Sequence, residues 1–131
     1  MDYLTPEQLA ELATRWERTA RCLNDYQAGH WADFSLEQHL DLNAYQSSLL
    51  HRAQDLATGL LRPSLNGPAA ALAQIELLLT NAQRVLGQAA APQDVMHLGA
   101  VSVALAAAVA RSNDRAIQNA LRELAALLAT A

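Results

Sequence analysis

From Pro92 to Arg111 the chain has almost nothing polar to turn toward water. The stretch Val95-Met96-His97-Leu98-Gly99-Ala100-Val101-Ser102-Val103-Ala104-Leu105 would be apolar on nearly every side of a helix. Such a helix must be covered all round. Its small residues Gly99, Ala100, Ser102, Ala104 and Ala108 let neighbouring backbones come close. Two placements satisfy it: the centre of a monomeric bundle, or an interface with a second copy or another protein. A chain of 131 residues has few spare helices to wrap a central one. Self-association as a homodimer, or a permanent protein partner, is therefore expected, with Leu98, Val101, Leu105 and Val109 at the interface.

The other helices announce their ends. In Leu4-Thr5-Pro6-Glu7-Gln8-Leu9, Thr5 is the N-cap and Pro6 occupies the first helical position. Gln8 closes a capping box, and Leu4 and Leu9 form a hydrophobic staple. The series Leu9, Leu12, Ala13, Trp16, Ala20, Leu23, Tyr26 then recurs at helical spacing. Gly29, free to turn left-handed, predicts a stop near residue 28. Ser35-Leu36-Glu37-Gln38 is a second capping box, and the row Leu36, Leu40, Leu49, Ala53, Leu56, Leu60 carries that helix to Arg62-Pro63.

Asn66-Gly67-Pro68 is a turn into a third helix, whose broad stripe is Leu72, Ile75, Leu78, Leu79, Ala82, Val85 and Leu86. A fourth opens at Pro92 and runs to about Arg111. Ser112-Asn113-Asp114 reads as a cap and a fresh start, although Val109, Ala116, Ala120 and Leu124 also suit one continuous helix. No run of alternating β-branched residues predicts a strand. The expectation is an all-α, antiparallel helical bundle of four to five helices, a single domain over 1–131.

Charge narrows the function classes. The chain carries 9 basic residues, all arginine, against 13 acidic ones, for a net charge of −4. No basic recognition helix is present, so no nucleic acid is expected as a partner. The uncharged run Leu98–Ala110 is shorter than a membrane span needs, so no membrane is expected either. One cysteine and no apolar leader after Met1 point to a cytoplasmic location. In size, composition and helical-hairpin layout the chain resembles the small acidic bacterial secretion chaperones, such as those of flagellar export. That resemblance implies no site residues.

No motif for catalysis stands out. Asp94 with His97, and His51 with Asp55, share helix faces, but a metal needs three or four converging ligands, so no metal and no cofactor are expected. Arg18 and Arg21 would lower the pKa of Cys22 if they faced it. The aromatics are more informative, because all of them lie in the first 45 residues. A helical hairpin brings Tyr26, His30, Trp31, Phe34 and Tyr45 toward one end, and with Trp16 these are the candidate binding residues.

The function expected is that of a non-enzymatic helical interaction module (adaptor, secretion-chaperone-like or immunity-type) that binds a protein partner through an apolar helical surface. The alternative is a sensor of small molecules, with an aromatic-lined pocket near Trp31 and Phe34.

Overall fold

The structure, a computed structural model, describes residues 2–88 and 90–130. Five helices make up nearly all of it: α1 (Pro6–Gly29), α2 (Leu36–Ala57), α3 (Pro68–Gly87), α4 (Pro92–Ala110) and α5 (Asp114–Thr130). A single 3-10 turn, Trp31–Asp33, links α1 to α2. Both expected capping boxes form. Thr5 accepts from the Gln8 amide and Ser35 from the Gln38 amide, each at 3.2 Å, and both glutamines return the bond. The break after α4 also forms, with the Asn113 side chain accepting from the Ala116 amide at 3.1 Å.

Each helix has two main neighbours, so the five close into a ring in the order α1, α2, α4, α5, α3. α1 and α2 form an antiparallel hairpin, with Gln27 bonded to His39 at one end and Leu9 sharing a cleft with Leu56 at the other. α1 and α3 run in the same direction, because their links advance in step from Arg15–Glu76 to Thr19–Gln83. The core inside the ring is built from leucines, with Trp16, Leu23, Leu42, Leu79, Leu105 and Ile117 among its fully buried members.

Four details depart from the sequence reading. Gly29 stays helical and His30 takes the C-cap, its amide donating to the Tyr26 carbonyl. Two short strands exist, β1 (Asp2–Tyr3) and β2 (Ser64–Leu65), paired antiparallel. Two residues are too few to show alternation. The leucine row expected along α2 is really two rows. Leu49, Ala53 and Leu56 are buried together with Leu42, whereas Leu36, Leu40 and Leu60 are exposed. At about 100° per residue, Leu36 and Leu40 point to the side of the helix opposite Leu49 and Leu56.

The fourth departure concerns α4. By length and composition it could cross a membrane. In the fold it packs against α2 and α5, and Leu98, Val101, Leu105 and Val109 are all buried by the chain's own helices. The four residues expected at an interface therefore have no free surface. A five-membered ring supplies the cover that seemed to require a second molecule.

Candidate functional site

The exit of α1 and the start of α2 gather most of the aromatics. Tyr26 is buried, and its hydroxyl donates to the Ala90 carbonyl at 2.5 Å. Burial, with Asp33 and Asp94 nearby, raises its pKa above the ordinary tyrosine value. His30 stacks on Tyr26 with ring centres 3.8 Å apart, and Phe34 meets Tyr26 edge-on at 6.0 Å. Tyr26 and Phe34 therefore seal this end of the core. A cleft of about 250 Å³ opens beside them, walled by Cys22, Asp25, Tyr26, His30, Leu86, Gly87 and Gln88. Trp31 and Phe34, the residues expected to line a pocket, are not among its walls.

Trp31 lies outside the seal. Its indole stacks on His39, with ring centres 3.7 Å apart, and remains 61% exposed. His39 is buried, and its Nε2 donates to the Trp31 carbonyl at 3.0 Å. That bond leaves Nδ1 of the neutral ring as an acceptor, and the Gln27 amide donates to it at 2.9 Å. Gln27 donates also to Asn43 and accepts from Gln46. The exposed indole thus rests on a polar network, buried at His39 and Gln27, whose members satisfy one another.

Leu36 and Leu40, 75% and 59% exposed, occupy the outward side of α2 next to this platform. Helical spacing extends the stripe through Asn43 and Ser47 to Leu50 and Gln54, all exposed. The stripe carries no charge. The helix's charged side chains lie away from it: Glu37 and Asp55 about 100° round, and Asp41 and Arg52 further still, toward the opposite side. From Cys22 to His51 the chain has four carboxylates and no arginine.

Two candidate residues sit elsewhere. Trp16 is 1% exposed in the middle of the core and far from the aromatic end, because about ten residues of helix separate it from Tyr26. Tyr45 packs its ring against Gly99 of α4, where an added Cβ would lie 2.7 Å from Cδ2. Its pKa is raised by burial and then by Asp41. Cys22 is half-buried and its pKa also goes up, not down. Burial is the larger cause and Asp25 adds to it.

Among the described residues no three of His, Cys, Asp and Glu come together as a metal site would need. The exposed leucines of α2 went unrecognised as surface because they shared a seemingly continuous row with Leu49. The position of the charged side chains was the available signal. No family model, no curated protein and no solved structure matches this chain.

Proposed function

We propose that this chain is a non-catalytic helical interaction module that seats a protein on the outward stripe of α2, with Trp31 at its edge. One observation carries the reading. Leu36, Leu40 and Leu50 are exposed together on one side of a helix whose charges all lie away from that side, with Trp31 exposed in the turn before it. Single exposed apolar residues are ordinary on protein surfaces, whereas several aligned on one helix face mark a place that something covers. Trp31 has the features of an anchor: a large ring, already held in one orientation, whose docking sacrifices little further freedom.

The test compares the wild type with a Trp31→Ala/Leu36→Ser/Leu40→Ser variant as bait in extracts of the source cell. Each captured protein, further copies of this chain included, is identified, purified and rebound. A partner that binds the wild type in purified form and loses at least tenfold affinity for the variant supports the reading. Identical binding by both baits overturns it, provided circular dichroism shows the variant folded.

A further inference from the structure

At the end of the hairpin away from Trp31, a cleft of about 370 Å³ lies between the start of α1 and the end of α2, within the size range of small-molecule sites. Its floor is apolar, for Leu4, Leu9 and Leu56 are buried there. Its mouth is made of exposed residues, several of them small. Ala10, Ala57 and Gly59 put no long side chain across the opening, and a Cβ at Gly59 would meet nothing within 4 Å. We infer that this cleft binds a small aliphatic carboxylate, its chain on the leucines and its carboxylate on Arg62. The inference is independent of the docking reading, which concerns the outward side of α2.

The polar end of the ligand follows from the donors that the cleft has left. Pro6, in its wall, has no N–H. The amides of Leu4, Leu9, Thr58 and Gly59 are taken by the carbonyls of Pro63, Thr5, Gln54 and Leu56. The Thr58 hydroxyl donates to the Gln54 carbonyl at 2.9 Å, which leaves it only lone pairs to offer. Arg62 is different. Among the described residues its guanidinium has no ion-pair partner, although Glu7 and Asp55 lie at the same end of the hairpin. That group stays charged and presents a fork that matches the two oxygens of a carboxylate. Its root is held on both sides, because the Leu61 amide donates to the Asp55 carbonyl at 3.0 Å and the Leu4 amide to the Pro63 carbonyl at 3.2 Å. The floor selects the rest of the molecule: buried leucines gain by covering methylene groups and offer nothing to a second polar group.

Titration of the isotope-labelled chain with octanoate, followed by amide NMR shifts, tests this. Saturable shifts confined to the cleft, Ala10, Thr58 and Gly59 foremost, are expected in the micromolar-to-millimolar range. Octanol keeps the chain and lacks the charge, and should bind about tenfold more weakly. Octylammonium, with its charge reversed, should not saturate. Arg62→Gln should lower octanoate affinity about tenfold, to the level of octanol. Ala57→Trp, which fills the mouth, should abolish binding. Both positions are exposed, so neither change reaches the core, and melting curves confirm that each variant folds. Octanoate that never saturates, shifts centred on Leu36 and Leu40 instead, octanol bound equally well, or an affinity indifferent to either substitution each overturns the inference.

Discussion

Trp31 lies on His39 with ring planes 27° apart, while its own carbonyl accepts a hydrogen bond from that histidine. Stacking and bond together hold a large exposed ring in a fixed place. Removing the ring and removing its support should therefore have different consequences. Trp31→Ala should cost less than about 1 kcal/mol of stability, because most of the indole is already in water. His39→Ala leaves one N–H of the Gln27 amide unpaired and the Trp31 carbonyl with only the longer bond from the Phe34 amide, and should cost about 2 kcal/mol. Urea unfolding of the two variants checks the ranking.

Tyr45 and Gly99 set how closely α2 and α4 approach. A methyl group at residue 99 would overlap the Tyr45 ring, 2.7 Å from Cδ2. Gly99→Ala should destabilise by about 1–2 kcal/mol, since overpacking outweighs the helix-forming gain of alanine. Adding Tyr45→Leu should return part of that loss. A double-mutant cycle from denaturation curves reads the coupling, and strict additivity would contradict the contact.

Ser102 lies in the buried side of α4 and its hydroxyl has no hydrogen-bond partner among the described residues. A buried, unpaired hydroxyl is a net cost. Ser102→Ala removes it at little change in volume and should stabilise the fold by about 1 kcal/mol. Thermal unfolding measures this directly, and a lower melting temperature would contradict it.

Alkaline pH should weaken the fold. Burial raises the pKa values of Cys22, Tyr26 and Tyr45 above their ordinary values of 9.0 and 10.0. Each group is neutral when protonated, so between its unfolded and folded pKa the native chain binds more protons than the unfolded one. Stability is therefore complete below about pH 9 and falls as pH rises through the thiol and phenol range. Cys22→Ser should flatten the first part of that decline. Urea midpoints from about pH 8 to about pH 11 test it.

Local signals made the helix starts legible. The capping boxes at Thr5 and Ser35, the prolines at Pro6, Pro68 and Pro92, and the cap at Asn113 each act within one turn. What could not be read was sidedness. An all-round apolar helix does not reveal which neighbours cover it, so α4 suggested an interface where the fold uses Leu98 and Leu105 internally. In α2 two leucine rows looked like one, and only the displaced charges distinguish core from surface. Trp16 sits in the core as its own apolar series implied, although its aromatic character had placed it among the candidate binding residues.

Quenching of the indoles by acrylamide, followed as the captured and purified partner is added, tests the docking reading of α2 most directly, because Trp16 is buried and Trp31 is not. The Trp31→Phe variant supplies the Trp16 signal for subtraction. In the chain alone the Trp31 signal should be readily quenched, and as the partner saturates it the signal should become protected and shift to the blue. A Trp31 that stays equally quenchable with the partner bound would contradict the docking reading.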